Sequence, residues 1–486
     1  MSYSVINALI RLPFKSHEIS MSAIFSVINP ADNSFVAEVP DTGVTEVQEM
    51  IARAHDAFES WRATTGARRA ECLERWHTAL LEDEDGLART ITQEQGKPLH
   101  EARAEVRYGA AYVKWFAEEA RRVDGEILNS PDGNKRLWVT REPVGVVAAI
   151  TPWNFPLAMI TRKVAAALAA GCSIVVKPAA ETPLTAIRLQ ELAISCGLPK
   201  DLFGVVTTSD HIGVGRELTA NETVRKVSFT GSTATGRILM EQSAGTIKRL
   251  SLELGGNAPF IVFDDADLEQ AVAGAMAAKF RNAGQTCVCA NRFLIQRSVF
   301  DRFLNLLVQQ VSRLKVGNGM EPDTQIGPLI TPEAVNKVDD IVADACEKGA
   351  VAVVGGQRLG GNYYAPTVLT NVDSTMRVTR EEIFGPVAAL VAFDTEEEAL
   401  RLANGCESGL AAYIYTENYR RIIRLTEKLE FGMVGVNEGI ISTEVAPFGG
   451  VKQSGFGREG SRHGLDDYLS YKYVCLGGAA QSIITG

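Results

Sequence analysis

Short apolar segments alternate with helical patterns between residues 145 and 208. Three of these segments, GVVAAIT, CSIVVKP and GVVTT, consist mainly of β-branched and small apolar side chains. Such strands are typical of a parallel sheet, because helices cover both of its faces. The segments between them, ITRKVAAALAAG and TPLTAIRLQELAISCG, have the pattern of crossover helices. The alternation predicts an α/β fold whose ligands bind beyond the carboxyl ends of the strands.

The overall charge argues against two classes of partner. The chain has 486 residues and a formal net charge of −10, so it repels nucleic acid and anionic membrane surfaces. Its longest apolar run, residues 164–176, is too short to cross a bilayer and is flanked by Lys163 and Lys177. We expect a small-molecule substrate, with no nucleic-acid and no membrane partner.

The positions of the cysteines and histidines indicate the cellular compartment of the protein and whether it has a metal site. Eight cysteines are scattered without the spacing of a disulfide framework, which favours a reducing compartment, and we expect a cytoplasmic protein. The sequence contains no C-x-x-C and no histidine pair at ligand spacing, so no metal site is predicted.

Two segments contain candidate catalytic groups. Cys287 lies in FRNAGQTCVCANR, between a helical run and the strand-like run FLIQ, and Glu253 lies in LELGGN at the end of a strand-like run. A lone cysteine is more often inert and buried. A thiol with an unperturbed pKa near ~8.5 needs a base, however, and a carboxylate at a strand end could deprotonate it or later activate a water. Together the two residues predict a nucleophile and a base.

The segment around Cys287 resembles the aldehyde dehydrogenase superfamily, whose pattern is F-x-N-x-G-Q-x-C followed by an arginine. The matching residues are Phe280, Asn282, Gly284, Gln285, Cys287 and Arg292. The resemblance extends from Asn29 to the carboxyl terminus, and the closest subgroup is the succinate-semialdehyde dehydrogenases. The family's usual amino-terminal signature is absent, so the first 25 residues have no assigned role; a transit peptide or a start at Met21 both stay open.

The resemblance implies a fold with three parts. These are a cofactor-binding α/β domain (residues 1–121 and 141–253), a catalytic α/β domain (254–460) and a small bridging β-element for oligomerisation (122–140 and 461–486). The last of these contains an exposed strand, which needs a partner edge. We therefore expect a homodimer or a homotetramer.

The resemblance also implies a mechanism. Cys287 would attack the aldehyde, and the side-chain amide of Asn154 would join the Cys287 N–H in holding the oxyanion. Glu253 would activate the water that releases the acid from a thioester. Two rivals remain: an acylating enzyme that passes the thioester to coenzyme A, which generally lacks a carboxylate at the Glu253 position, and a catalytically silent protein on the same fold.

The expected cofactor is NADP or NAD. By resemblance, the residues that would contact it are Trp153, Lys177, Ala180, Gly231, Ser232, Glu382 and Phe384. Strict NAD users commonly have a glutamate at the position of Ala180, and here Glu181 comes one place later. The missing carboxylate leaves room for a 2′-phosphate, so NADP is favoured or both cofactors are accepted.

The expected substrate is succinate semialdehyde, whose carboxylate needs a cation or several donors when it is buried. The succinate-semialdehyde subgroup has arginines at the positions of Arg162 and Arg281 and a serine at that of Ser442. Arginines at such positions are otherwise more often surface residues. Glutarate semialdehyde, one carbon longer, or another small aldehyde is the alternative.

Two further features carry separate predictions. A G-x-G-x-x-G at Gly455, Gly457 and Gly460 lacks a preceding strand, so we predict no dinucleotide site there; in the family this segment lies near the substrate tunnel. Cys289 either packs beside the nucleophile loop or forms a reversible disulfide with Cys287. In an extended segment their Cα atoms would be about 6.6 Å apart, close to the upper limit for a disulfide.

Overall fold

The computed structural model describes residues 23–478. The predicted alternatives for the amino terminus and the last eight residues of the predicted oligomerisation element lie outside this range. The helices are α1 (Val44–Arg62), α2 (Gly66–Glu82), α3 (Glu84–Gln95), α4 (Leu99–Glu119), α5 (Ala158–Ala170), α6 (Pro183–Ser195), α7 (His211–Ala220), α8 (Thr233–Ser243), α9 (Leu268–Phe280), α10 (Phe300–Val311), α11 (Pro332–Glu347), α12 (Arg377–Arg380), α13 (Glu396–Asn404) and α14 (Tyr419–Lys428).

The strands are mostly short, and several contain only two or three residues. They are β1 (Ile24–Ile28), β2 (Phe35–Pro40), β3 (Glu126–Leu128), β4 (Lys135–Pro143), β5 (Val146–Ile150), β6 (Ser173–Lys177), β7 (Phe203–Val205), β8 (Val224–Thr230), β9 (Arg249–Glu253), β10 (Ala258–Val262), β11 (Ala290–Gln296), β12 (Val351–Val354), β13 (Arg358–Gly360), β14 (Tyr363–Tyr364), β15 (Thr367–Thr370), β16 (Val387–Phe393), β17 (Ser408–Gly409), β18 (Ala411–Tyr415), β19 (Met433–Val436), β20 (Val451–Lys452), β21 (Gly455–Phe456) and β22 (Leu469–Gly477).

A six-stranded sheet has the order β21–β9–β8–β5–β6–β7, and only β21 is antiparallel to its neighbour. The predicted strands and crossover helices of residues 145–208 are found here. The last strand ends at Val205, before the two threonines of GVVTT, and the Thr207 hydroxyl donates to the Pro40 carbonyl. The parallel pairing of Ile150 with Lys177 and of Thr230 with Glu253 puts these strand ends on one edge.

A seven-stranded sheet has the order β12–β15–β16–β11–β10–β18–β19, with only β12 antiparallel. Strand β9 leads through the glycines of LELGGN into β10, so the chain passes directly from the carboxyl edge of the first sheet to the amino edge of the second. Cys287 precedes β11, and Glu382 precedes β16. The candidate site therefore lies where these two edges meet, and the α/β fold class is confirmed.

A three-stranded antiparallel sheet has the order β22–β4–β3. Strand β22 is at its edge, and Tyr471, Tyr473 and Leu476 on it are more than half exposed. The strands predicted near residues 122–140 and in DYLSYKYVCL thus pair with each other. An edge strand with exposed large side chains is a surface that commonly pairs with another chain.

Candidate active site

The loop that leads to Cys287 has an unusual backbone. Asn282, Ala283 and Gly284 all have positive φ, at 51°, 54° and 75°. Residues other than glycine rarely adopt this conformation, which costs on the order of 1–3 kcal/mol each and persists only when the surroundings hold it. Contacts from outside the loop are therefore needed to fix Cys287.

Asn282 provides most of these contacts. Its N–H donates to Glu101 Oε2 at 2.8 Å, its Nδ2 donates to the Asn154 carbonyl at 2.9 Å, and its Oδ1 accepts from Gln95 Nε2 at 3.0 Å. Every polar group of this buried side chain is thus paired with a residue outside the loop. Asn282, in the N-x-G-Q-x-C pattern, therefore holds the strained turn in place and need not take part in the reaction.

Gln285 anchors the other side of the turn. Its Nε2 donates to the Asn282 and Pro328 carbonyls, and its Oε1 accepts from the Ile330 N–H. The Gln285 carbonyl accepts a hydrogen bond of 3.0 Å from Asn154 Nδ2. One N–H of the Asn154 amide is therefore occupied by the loop, and the other remains for a further acceptor.

The glycines of LELGGN allow three parts of the site to approach closely. A Cβ on Gly256 would lie 2.2 Å from the Cys287 carbonyl oxygen, and one on Gly255 would lie 2.8 Å from Glu382 Oε2. The Glu382 carboxylate in turn accepts the Gly256 N–H at 3.1 Å. A side chain at Gly256 would push the thiol loop away, and one at Gly255 would displace the Glu382 carboxylate.

Cys287 borders two cavities. The first, of about 290 Å³, is also lined by Glu253 and Asn154. It includes five of the residues predicted to contact the cofactor, which are Trp153, Gly231, Ser232, Glu382 and Phe384. The rings of Trp153 and Phe384 meet edge to face at 5.6 Å, and Ser232 caps helix α8 by accepting from the Thr235 N–H. Helix α8 thus begins at Thr233, directly after two of the residues predicted to contact the cofactor.

Lys177 and Ala180 lie along the same sheet edge but outside the lining of the first cavity. Lys177 is buried, and its carbonyl accepts the N–H of Thr151, two residues before Trp153, at 3.1 Å. Burial lowers the pKa of Lys177, and the nearby Glu181 carboxylate opposes this. Glu181 is therefore close to the lysine even though it comes one position later than the expected acid.

The second cavity, of about 310 Å³, lies on the other side of Cys287. It includes all three predicted substrate residues, which are Arg162, Arg281 and Ser442. Aromatic and apolar side chains make up much of the rest of its wall, namely Tyr108, Phe155, Met159 and Phe448. An anion could reach the thiol from this side only if a cation near the apolar wall compensates its charge.

The two arginines of the second cavity differ in their partners. Arg162 is fully buried, forms an ion pair with Glu459 and lies 4.5 Å from the centre of the Phe448 ring. Arg281 is partly exposed, and within residues 23–478 no carboxylate lies within ion-pair distance of it. Arg281 is therefore the cation with unused charge, whereas the charge of Arg162 is largely compensated.

Burial disfavours the ionised form of both candidate reacting groups. Burial raises the pKa of the Cys287 thiol to about 12, with Arg162 opposing and Glu382 and Glu253 adding to the rise. Burial and the Glu459 carboxylate raise the pKa of Glu253 well above its usual value. Neither oxygen of Glu253 has a hydrogen-bond partner in the described structure. A carboxyl group with a raised pKa is a weak acid, so its ionised form is a stronger base than an ordinary carboxylate.

The family profile described as the aldehyde dehydrogenase family matches residues 18–474. The chain belongs to the aldehyde dehydrogenase family. It is 55% identical over 456 residues to the 3-sulfolactaldehyde dehydrogenase of Pseudomonas putida, a match that covers 93% of this chain and 94% of that protein. It is 54% identical over 453 residues to the NADP(+) succinate-semialdehyde dehydrogenase of Escherichia coli strain K12, covering 93% and 94%.

Comparison with solved structures supports the same family assignment. The crystal structure of succinate-semialdehyde dehydrogenase from Burkholderia pseudomallei superposes on this aldehyde dehydrogenase with a TM-score of 0.93 at 54% identity. The match covers 94% of this chain and 95% of that one. The resemblance inferred from the motif around Cys287 is thereby confirmed. Within residues 23–478, no helix is both long and apolar enough to cross a membrane.

In this aldehyde dehydrogenase the G-x-G-x-x-G segment is part of the site. The expectation that no strand precedes it is wrong in detail, since the two-residue β20 does, and Gly455 itself pairs with Glu253 in β21. A short 3₁₀ helix over residues 462–468 follows, rather than the α-helix of a dinucleotide motif. The segment contributes Glu459, which contacts both Arg162 and Lys163.

The segment at Cys289 is a turn, so the assumption of an extended backbone is wrong. The Cys289 N–H donates to the Thr286 carbonyl at 3.1 Å, which shortens the distance between the two cysteines relative to an extended chain. The Cys289 thiol is buried and donates to the Lys279 carbonyl at 3.4 Å. Both thiols are free.

Sequence reasoning missed the buried charges behind the site. Lys97 donates to Glu105 at 2.6 Å and to the Asn154 carbonyl at 2.7 Å, and Lys163 pairs with Glu459. Asn154 and Glu459 are distant in the chain from these lysines, and the eight-residue spacing of Lys97 and Glu105 is not a helical contact spacing, so no local pattern could reveal the contacts. The only signal was indirect: Lys163 and Glu459 both flank segments already assigned to the site by resemblance.

Proposed function

We propose that this aldehyde dehydrogenase oxidises succinate semialdehyde to succinate, with NADP or NAD as the oxidant. The proposal rests chiefly on the position of Cys287 between two cavities. Glu253 and Asn154 line one cavity, and the unpaired Arg281 lines the other. The thiol can thus be reached by a cofactor from the first cavity and by an anionic substrate from the second. This arrangement suits the oxidation of an aldehyde that carries a carboxylate at its other end.

The first cavity has the groups that a dinucleotide needs. It lies at the carboxyl edge of a parallel sheet, next to the amino end of helix α8, where backbone N–H groups can bind phosphate. The hydroxyl of Thr230 faces this cavity while buried and without a partner. When bound, the nicotinamide supplies the hydride acceptor that converts a thiohemiacetal into a thioester.

The chain's own residues carry out the remaining chemistry. The Cys287 thiol gives its proton to ionised Glu253, which lines the same cavity and passes the proton to solvent. The thiolate attacks the aldehyde carbon, and the free N–H of Asn154 together with the Cys287 N–H stabilises the developing oxyanion. After oxidation, Glu253 takes a proton from water, which attacks the thioester and restores the thiol. The carboxylate at position 253 favours water over coenzyme A as the acceptor.

Trp153, Gly231, Ser232, Glu382 and Phe384 are proposed to contact the cofactor, with Lys177 and Ala180 next to its adenosine ribose. The small side chain of Ala180 leaves space for a 2′-phosphate, which favours NADP. Arg281 is proposed to bind the substrate carboxylate, and Ser442 is proposed to donate a hydrogen bond to it. Arg162 is proposed to add positive electrostatic potential to the same cavity. The name of the Escherichia coli relative supports NADP.

The protein is further proposed to act in the cytoplasm as a homodimer or homotetramer. The domain division proposed from the resemblance assigns residues 1–121 and 141–253 to the cofactor, 254–460 to catalysis, and 122–140 with 461–486 to oligomerisation. The unpaired edge of β22 supports this last role.

A second candidate substrate is 3-sulfolactaldehyde, because one relative of 55% identity bears that name. It also pairs an aldehyde with a terminal anion, so the same arginine could bind it. Glutarate semialdehyde is a third, one carbon longer than succinate semialdehyde.

The test follows NADPH and NADH absorbance with each of the three aldehydes, with and without coenzyme A. We expect the highest kcat/KM with succinate semialdehyde and NADP, and no dependence on coenzyme A. Cys287→Ala should abolish turnover, and Glu253→Gln should leave a single burst of NADPH without further turnover. Near-normal turnover by Cys287→Ala would refute the mechanism, and a preference for 3-sulfolactaldehyde would reassign the substrate.

A further inference from the structure

A large groove lies outside the second cavity and is continuous with it. The groove has a volume of about 960 Å³ and is lined mainly by helices α9 and α10. Only three residues border both the groove and the inner cavity, namely Glu101, Arg281 and Ile440. These three residues therefore form the boundary that a substrate crosses on its way to Cys287.

Two of the three boundary residues carry opposite charges. Arg281 has no carboxylate within ion-pair distance in the described chain, and its Nε is buried without a hydrogen-bond partner. Glu101, in the first turn of α4, accepts the Asn282 N–H at 2.8 Å and so also supports the nucleophile loop. An acid thus lines the same boundary as the cation that would bind the carboxylate of the substrate, beyond ion-pair distance of it.

We propose that Glu101 is a specificity-determining residue that competes with the carboxylate of the substrate for Arg281. The inference rests on the proposed function. Glu101, when ionised, weakens the binding of a terminal anion and excludes aldehydes with a second negative charge. Without its charge, Arg281 is free to pair with the substrate.

The surroundings of Glu101 determine when it is charged. Burial raises the pKa of Glu101 to about 7, with Lys97, the Asn282 N–H and Arg281 opposing and Glu105 adding to the rise. Lys97 and Glu105 compensate each other in a fully buried ion pair. Across the groove, His100, Glu269 and Arg313 are the other charged or titratable groups. Because a carboxyl group is neutral below its pKa, Glu101 opposes anion binding only as the pH rises past neutrality.

The experiment compares two aldehydes of four carbons, succinate semialdehyde and the uncharged butanal, with NADP from pH 6 to 8.5. The measured quantity is the ratio of their kcat/KM values, in which the ionisations of Cys287 and Glu253 cancel. For the unaltered enzyme we expect the ratio to fall by about 3- to 10-fold over this range, since a nearby unit charge acts through an intermediate dielectric. Glu101→Gln should keep the ratio at its high, low-pH value throughout.

Two control variants separate Glu101 from its neighbours. Glu269→Gln removes an exposed acid that lines only the outer groove, and His100→Gln removes the imidazole that directly precedes Glu101 in the chain and lines the same groove. Both should retain the pH dependence of the unaltered enzyme. Loss of that dependence in His100→Gln would overturn the proposal.

The outcomes distinguish the proposal from the function on which it rests. A ratio near one at every pH in the unaltered enzyme would reject recognition of a carboxylate, and with it both ideas. A ratio well above one that does not change with pH would reject the role of Glu101 alone. Both results are obtained with the unaltered enzyme. The proposal can therefore be rejected even if the Glu101→Gln protein does not fold.

Discussion

Arg162 and Glu459 form an ion pair that is closed off from solvent, with 0% of the arginine side chain and 5% of the glutamate side chain exposed. Lys163 contacts the same carboxylate. Burial opposes the ionisation of Glu459, but the two cations outweigh it and its pKa is lowered. One carboxylate thus compensates two buried cations, and all three charges act on Glu253.

This arrangement predicts a large stability loss for Glu459→Gln. Removing one partner of a buried pair leaves an uncompensated charge, which typically costs about 3–5 kcal/mol. Thermal unfolding should therefore begin at a clearly lower temperature. Glu430→Gln is the matched control, because the Glu430 side chain is 59% exposed in its pair with Lys452, and its replacement should change the free energy of unfolding by less than about 1 kcal/mol. Similar shifts for both variants would contradict the role given to burial.

A second prediction concerns Arg281. Arg281→Ala should lower kcat/KM for succinate semialdehyde by about 10- to 100-fold, as expected for the loss of a hydrogen bond to a charged group worth about 1.5–3 kcal/mol. Most of the effect should be in KM, and butanal should be oxidised nearly as before. Arg313→Ala removes a cation from the outer groove only and should affect neither substrate. Equal losses for both aldehydes in Arg281→Ala would remove this arginine from substrate recognition.

The part of the site that could be predicted from the sequence is the part carried by continuous segments. FRNAGQTCVC and LELGGN placed Cys287 and Glu253 correctly beside one cavity, and the apolar strands predicted the sheet edge. Contacts between distant segments could not be predicted in this way. The compensation of Arg162 by Glu459 and the support of Asn282 by Glu101 depend on tertiary packing, for which one sequence has no periodic signal.

The pH dependence of the reaction follows from the raised pKa values of Cys287 and Glu253. In the proposed mechanism, the thiol must lose its proton to attack, and the carboxyl group must be ionised to activate water. Since the pKa of both groups is raised, the reactive forms become populated only as the pH increases. With butanal, which has no charge of its own, kcat/KM should rise from pH 6 to 9. A flat or falling profile in this range would contradict the assigned protonation states.

The edge strand β22 predicts an oligomer at micromolar concentration. Its exposed Tyr471 and Tyr473 lie on a strand with an unpaired edge, and replacing both with lysine should oppose pairing by like-charge repulsion. Light scattering should show a dimer or tetramer for the unaltered protein and a smaller species for this variant. Tyr419→Lys on helix α14, equally exposed at 63%, should leave the mass unchanged. A monomer in the unaltered protein would refute the prediction.

The last prediction concerns a disulfide between Cys287 and Cys289. The turn closed by the Thr286 carbonyl brings the two residues closer than an extended chain would, but the Cys289 thiol donates to the Lys279 carbonyl. Burial raises the pKa of Cys289, with Lys279 opposing, so little of it is thiolate at neutral pH. We predict that Cys289 nevertheless resolves an oxidised Cys287, the alternative being that it only packs beside the nucleophile loop. The bond therefore requires the Cys289 side chain to leave the Lys279 carbonyl.

Peroxide should inactivate the unaltered enzyme, and dithiothreitol should then restore its activity, because a disulfide between neighbouring residues is strained and easily reduced. In Cys289→Ala, Cys287 has no resolving thiol and should proceed to sulfinic and sulfonic acids, so activity should not return. Intact-mass measurement distinguishes the two products, as the disulfide loses two hydrogens whereas the acids gain oxygens. Cys346→Ala removes an exposed cysteine elsewhere and should behave as the unaltered enzyme does. If Cys289→Ala regains activity as fully as the unaltered enzyme, Cys289 serves only in packing.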